Sequence, residues 1–416
     1  MKKTGVLLLG LCLLAGAVPA FAAPAGLVWC GWAGEEAATK PLVQTMMNDW
    51  NSANQNKVTW VGWPWAQTLQ QLVIRLQGSE NIDLAQVDTS MFPTLVAMDA
   101  VADLGTLFDK SWLDGNFSKA SLGFGVSQGR QLGMPWTTAS IGMVYNPTLL
   151  ASVGYKEPPT TLAEFEDCLA RLRAKDKDLI PYALSTKDAT ATADYGPWLW
   201  TFGGSIFDDK GRIVVDSKAG IDTLAWYKKL ADNGYIKANM SRFDARQLFA
   251  QGKVGFYDDA IMARGICQSN GVKPEALDAA IRPMLRPVVK VGNPPASAMW
   301  GHLLVIFKKS PNQKVAAEFV KHLISERESI MYFENSGMLP VMKSALANPK
   351  VTSDAWAKSW SAITSTGRNN EFMLYANNAE LTNIVSEEVQ AVIIGKKTPE
   401  KAAADMKSRL SAAGPK

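Results

Sequence analysis

Between Gly26 and Asp88 the chain alternates short apolar runs with segments of helical period, and this alternation limits the fold more than any other feature. Gly26-Leu-Val-Trp-Cys-Gly-Trp32 is an apolar run closed by Ala33-Gly34 and reads as a buried strand. From Glu35 to Asn54, Leu42, Met46, Met47 and Trp50 recur at helical spacing. Lys57-Val-Thr-Trp-Val61 reads as a second strand, and Thr68 to Gln77 as a second helix with Leu69, Leu72, Val73 and Leu76 along one side. Ile82-Asp-Leu-Ala-Gln-Val87 is a third strand, ending at Asp88. Such alternation specifies β-α units, hence an α/β fold with a mainly parallel sheet. Ligands of these sheets lie beyond the carboxyl ends of the strands. Trp32, Gly34, Trp63, Trp65, Asp88 and Thr89 all fall there.

The N-terminus predicts export. Met1-Lys2-Lys3 is basic, Gly5 to Val18 is apolar but shorter than the ~20 residues a membrane span needs, and Ala20-Phe21-Ala22 is a small-residue cleavage site. Cutting is expected after Ala22. Cys12 follows Leu11 rather than a small residue, which argues against a lipid anchor. No later stretch is apolar for long enough to span a membrane, so the expected location is a bacterial periplasm.

Composition narrows the function. Cutting after Ala22 leaves roughly 394 residues, room for two or three domains of ~100–200 residues. The chain has 43 basic and 39 acidic residues, and losing Lys2 and Lys3 leaves a formal charge of +2. A balance so near neutral does not suggest nucleic acid or an anionic membrane as partner. Cys30, Cys168 and Cys267 allow at most one disulfide, and their spacing names no pair. Two histidines, His302 and His322, cannot build a His-rich metal site. No cofactor is expected. There is no Gly-x-Ser-x-Gly elbow, Walker loop, His-Glu-x-x-His or Cys-x-x-Cys.

Fourteen tryptophans remain to be explained. Trp29, Trp50, Trp60 and Trp226 occupy strand or helix positions and read as core. Trp32, Trp63, Trp65, Trp136, Trp198, Trp200 and Trp300 stand near glycine, proline or short polar runs, as residues at the rim of a cleft often do. An indole offers a flat apolar face and one N–H donor, which suits a sugar ring. Trp198 and Trp200 have two readings: packing together on one helix face, or stacking on ligand.

Farther along, Gln131-Leu-Gly-Met-Pro-Trp136 leads through Thr137-Thr138-Ala139-Ser140 into Ile141-Gly-Met-Val-Tyr145. A polar patch inside an extended run predicts a hinge strand between lobes. Thr161-x-x-Glu164, Ser310-x-x-Gln313 and Ser325-x-x-Glu328 fit capping boxes, and Thr398-Pro399 opens a last helix.

Seven segments in order carry a resemblance. They are Leu27 to Trp32; Asn81 to Asp88; Gly129 to Trp136 with Gly142 to Asn146; Pro158 to Phe165; Phe249-Ala-Gln-Gly-Lys-Val-Gly-Phe256; Leu303 to Lys308; and Ala316 to Leu323. Together the chain resembles the extracellular solute-binding proteins of carbohydrate ABC importers, the maltose-binding-protein-like family. That resemblance implies a periplasmic binding protein fold of type II, two α/β lobes joined by a hinge of crossover strands. It implies no enzyme activity, a sugar, polyol or sugar derivative as ligand, and an inner-membrane ABC permease as partner to a monomer. The lobes are expected as residues 23–136 plus 301–337 and 137–300 plus 338–416. Crossings are expected near Trp136–Ser140, Ala296–Gly301 and Gly337–Val341. Where many members carry Gly-Pro-Trp, this chain has Asp258-Asp259-Ala260-Ile261-Met262. One aromatic wall is thus replaced by carboxylates, and a smaller or more polar solute is expected.

The candidate ligand residues are Trp32, Glu35, Trp63, Trp65, Asp88, Thr89, Trp136, Thr137, Tyr195, Trp198, Asp259, Trp300, Gly301, His302 and Arg368. Asp258 and Asp259 are adjacent on a strand, so only one is expected to face the cleft. Two other readings compete. A glycoside hydrolase would set Asp88 against Asp258 or Asp259 across a cleft. A binding protein for an organic anion would bring at least two of Arg242, Arg368 and Lys40 into it.

Overall fold

Two of the apolar runs near the N-terminus become strands buried on both faces, and the third a half-exposed edge strand. The computed structural model describes residues 26–415, apart from 79 and 374. The export segment expected within residues 1–22 lies outside the described residues. Eleven strands are found among the described residues: β1 (Leu27–Gly31), β2 (Val58–Gly62), β3 (Leu84–Asp88), β4 (Val126–Ser127), β5 (Arg130–Gln131), β6 (Met134–Tyr145), β7 (Ile180–Tyr182), β8 (Val254–Asp259), β9 (Arg282–Met284), β10 (Ser297–Ile306) and β11 (Gly367–Asn369). The main sheet runs β2-β1-β3-β10-β6-β8-β7, with β11 beside β10 and β9 beside β6.

The side chains of β1, β3 and β10 alternate between two cores. Leu27, Trp29, Leu84, Leu304 and Ile306 face one, while Cys30, Ala85, Val87, Leu303 and Val305 face the other. With both faces covered, the strands read as continuous apolar runs. Helices Lys40–Ala53 and Gln313–Leu323 cover the first face with Met46, Trp50 and Phe319. The three cysteines are buried and make no disulfide.

The sheet is less parallel than expected. β1 runs parallel to β2 and β3, but β10 is antiparallel to β3 and β6, and β6 is antiparallel to β8. The two central strands explain the departure, because each serves both halves of the molecule. β6 pairs with β10 from Met134 to Ile141 and then with β8 from Gly142 to Tyr145. β10 pairs with β11 at Ser297–Met299 and with β3 from His302 to Ile306. A third connection passes beside them, where the Thr138 amide donates to the Leu339 carbonyl at 3.1 Å. It follows Gly337, whose φ of 78° ends helix Glu326–Ser336 in the left-handed region that glycine favours.

A separate core forms the second half of the molecule. Phe165, Tyr182, Trp198, Trp226, Tyr227 and Phe256 lie at its centre, closed by helices Asn378–Ile393 and Pro399–Ala413. Three arginine–aspartate pairs are sunk into this half, one of them Arg246 with Asp259. Arg286 bonds Asp258, which also accepts the Tyr182 hydroxyl, and Arg242 bonds Asp194.

The helix starts followed their caps unevenly. Thr161 and Glu164 make the expected reciprocal box. Ser325 accepts from the Glu328 amide, though without the return bond. Ser310 caps nothing at Gln313: its hydroxyl donates to Asp83 at 2.5 Å and accepts the Asn312 amide, and the helix begins three residues later. Residues 343–352 bond to residues expected in the other lobe. The Lys343 ammonium donates to the Asp114 and Gly115 carbonyls at 2.9 and 3.2 Å, and Lys350 bonds Glu334 at 2.9 Å.

Candidate functional site

A chamber opens beyond the carboxyl ends of β2 and β3, with walls from both halves of the molecule. Its empty space, counted out to open solvent, is about 870 Å³. One half supplies Trp65, Asp88, Thr89 and Ser90; the crossover strands supply Ile141, Ala298, Met299 and Trp300. Helix Asp188–Thr201 contributes Thr190, Thr192, Gly196, Pro197 and Trp200, and Arg242, Asn370 and Glu371 complete the far wall.

Each wall residue is placed by the element it ends or begins. Trp65 opens helix Trp65–Gln77, directly after the Trp63-Pro64 turn out of β2. Its indole N–H donates to Asp88 Oδ2 at 2.5 Å. Asp88 terminates β3 and is only 1 % exposed. Its Oδ1 accepts the Ser90 amide at 2.8 Å, the Ser90 hydroxyl at 2.5 Å and the Met91 amide at 3.0 Å. Burial raises the Asp88 carboxyl above its ordinary range, against the pull of the bonds from Ser90 and Trp65. Across the chamber, Glu371 Oε1 accepts the Trp200 indole N–H at 2.7 Å, and Oε2 accepts the Ile206 and Phe207 amides at 2.8 Å.

A second recess of about 990 Å³ adjoins the chamber through Trp65. Glu35, Glu36 and Trp65 face Phe243, Arg246 and Gln247 there. The Trp65 and Phe243 rings approach to 6.5 Å, joining the halves across the cleft. Thr94 Oγ1 makes a second such link, donating to the Ala376 carbonyl at 2.9 Å. Burial raises the Glu36 carboxyl, opposed by the Arg246 guanidinium.

Of the residues expected from sequence, the structure brings Trp65, Asp88, Thr89 and Trp300 together on the chamber wall, with Glu35 in the adjoining recess. Glu35 there accepts the Trp60 indole N–H at 3.0 Å. The structure places the others elsewhere. Trp32 and Trp136 are buried around His302, with ring centroids 4.8 and 6.0 Å from it. His302 is itself 2 % exposed; burial lowers its pKa to about 3, so its imidazole is neutral. Its Nδ1 accepts from Gln86 in that neutral form, and its ring lies edge-on to Trp300 at 4.6 Å. Thr137 and Gly301 are buried where β6 and β10 approach, and the Gly301 carbonyl accepts the Thr89 amide at 3.2 Å. Trp63 is half-buried beneath the Arg75 guanidinium at 4.9 Å.

Tyr195 and Trp198 belong to the second core, both fully buried. Trp200, two residues on, reaches the chamber. Positions two apart on a helix point about 200° apart, so the reading of a shared face fails. Asp259 is buried in a two-bond pair with Arg246, at 2.8 Å for each bond. Burial alone would raise its carboxyl; Arg246 outweighs that and holds it below the ordinary range. Neither Asp258 nor Asp259 reaches the chamber, so the carboxylate pair that a hydrolase would need with Asp88 is not formed by them. Arg368 is exposed, its guanidinium 4.8 Å from the Trp200 ring. Sequence reasoning missed Thr190, Thr192, Asn370 and Glu371 as wall residues, and it raised Arg242 only as an anion ligand.

Two lobes, crossover strands and a solvent-connected chamber between the halves define a solute-binding protein rather than a catalyst. The chain belongs to the bacterial extracellular solute-binding protein family, whose pattern matches residues 33–329. A binding protein of Brucella abortus (strain 2308) is 24 % identical over 354 residues, 84 % of each chain. The structure of maltose-bound MalE3 from T. maritima superposes with a TM-score of 0.82 at 20 % identity, covering 94 % of this chain and 100 % of that one. An ABC transporter solute-binding protein from Thermotoga lettingae TMO, bound with alpha-D-tagatose, gives 0.80 at 21 % identity over 93 % of this chain and 99 % of that one. Family membership places such proteins outside the cytoplasm, and no helix among the described residues is long and apolar enough to cross a membrane.

Proposed function

We propose that this protein captures a sugar, polyol or sugar derivative in the chamber between its lobes and presents it to an inner-membrane ABC permease. The observation that carries this reading is the meeting of Trp65, Trp200 and Trp300 around one chamber, drawn from both halves and from a crossover strand. Indole faces match the apolar faces of sugar rings, and Thr89, Thr190, Thr192 and Asn370 line the same space as partners for hydroxyls. Two structural relatives hold maltose and alpha-D-tagatose, which supports a carbohydrate ligand here.

In this reading residues 23–136 plus 301–337 form one lobe and residues 137–300 plus 338–416 the other, with 343–352 riding on the first. The mature chain begins after Ala22, resides in the periplasm and acts as a monomer. A thermal-shift screen of mono- and disaccharides, polyols and sugar acids tests the proposal. A ligand present at 100 times its Kd stabilises the folded state by ~2.7 kcal/mol, so at least one carbohydrate must raise the melting temperature. A complete screen without a shift rejects the reading.

A further inference from the structure

The chamber wall carries two indole–carboxylate pairs, one in each half of the molecule. Trp65 donates its N–H to Asp88 at 2.5 Å, and Trp200 donates to Glu371 at 2.7 Å. All four residues line the same space. The remaining hydrogen bonds given to the two carboxylates come from neutral groups: the Ser90 amide and hydroxyl and the Met91 amide for Asp88, and the Ile206 and Phe207 amides for Glu371. Among the described residues, no arginine or lysine is bonded to either carboxyl.

The nearby arginines do not offset them. Arg242 lines the chamber but is bonded to Asp194 behind it. Arg246 is spent on Asp259 in the adjoining recess. Arg368 is exposed, 4.8 Å from the Trp200 ring, and shares with Glu371 a recess apart from the chamber, where solvent screens it. An organic anion would thus meet two carboxyls and, among the described lining residues, no arginine free of a carboxylate partner. An indole ring attracts cations to its face, and an N–H donated to a carboxylate pushes electron density into that ring. Trp200 already holds a guanidinium 4.8 Å from its ring.

We infer that the solute carries a cationic nitrogen, a protonated amine or quaternary ammonium, held between the Trp65–Asp88 and Trp200–Glu371 pairs. This rests on the carbohydrate reading above and narrows it to an amino sugar or a related amino polyol.

Calorimetric titration with matched probes tests it: glucosamine and galactosamine, glucose and galactose, glucuronate and galacturonate, and tetramethylammonium. The amines should bind at least about tenfold tighter than the neutral sugars, and the acids weakest. The preference should fade as pH rises through deprotonation of the amine, while neutral-sugar binding stays flat. Glu371→Gln should lower glucosamine affinity about tenfold and glucose affinity much less; should that variant fail to fold, the pH series on the unaltered protein decides. Neutral sugars binding as tightly as the amines would overturn the inference and leave the carbohydrate reading intact. Tetramethylammonium binding with every sugar silent would do the reverse. Silence of the amines and of tetramethylammonium together would overturn the inference.

Discussion

Trp198 and Trp300 are the same side chain used for different ends. Trp198 is fully buried, stacks near Phe165 and Trp226, and donates its N–H to the Tyr182 hydroxyl at 2.8 Å. Trp198→Ala should cost ~3–5 kcal/mol of stability, read from denaturant melts. Trp300 is half-buried on the chamber wall. Trp300→Ala should weaken solute binding by ~2–4 kcal/mol while shifting the melt much less; equal effects of the two variants on stability would mean the chamber is misplaced. The sequence marked both residues by the same cue, an aromatic near glycine or proline. That cue separates loops from helix interiors, not wall from core. Trp65, Asp88 and Thr89 were legible because they follow strand ends, a position set by local chain geometry. Glu371 and Thr190 were not, because only tertiary packing brings them to the wall. His302 looked like a ligand residue beside Gly301, but strand alternation turns it inward against Gln86.

At the scale of elements, the β-α units of the first half could be read from apolar runs alone, within three residues of their ends except at the first helix, which begins at Lys40 rather than Glu35. The central strands were harder. β6 and β10 were expected as crossings, and they do cross, but their antiparallel pairing with β3 and β8 has no signature in either strand alone. Their contact is tight at one point. A Cβ on Gly301 would stand 2.8 Å from the Thr137 carbonyl oxygen, closer than side-chain carbons tolerate, and the register shifts just beyond it at His302/Leu303. Gly301→Ala must push the two crossing strands apart and should cost ~1–3 kcal/mol. A melt unchanged from the parent would show that this approach is not tight in solution. The cap at Ser310 failed for an instructive reason. Its hydroxyl found a buried carboxylate, Asp83, which competes with the helix N-terminus for the same side chain.

For the whole molecule, two halves share their central strands and meet around a chamber that neither could enclose alone. A solute touching both walls favours the form in which they approach, and it shifts that balance only by its difference in affinity for the two forms. The links at Trp65–Phe243 and Thr94–Ala376 bridge the cleft directly. The two-lobe plan was legible because seven weak segments came in order, although no one of them sufficed. The bonds of residues 343–352 to the other lobe were not, since they rest on lysines reaching carbonyls and carboxylates far away in sequence. Small-angle scattering with and without saturating sugar, using the solute that gives the largest thermal shift, tests ligand capture by closure most directly. The radius of gyration should fall on saturation, and Trp300→Ala should need more sugar to reach the same value. A radius of gyration that stays constant while calorimetry reports full occupancy would contradict closure.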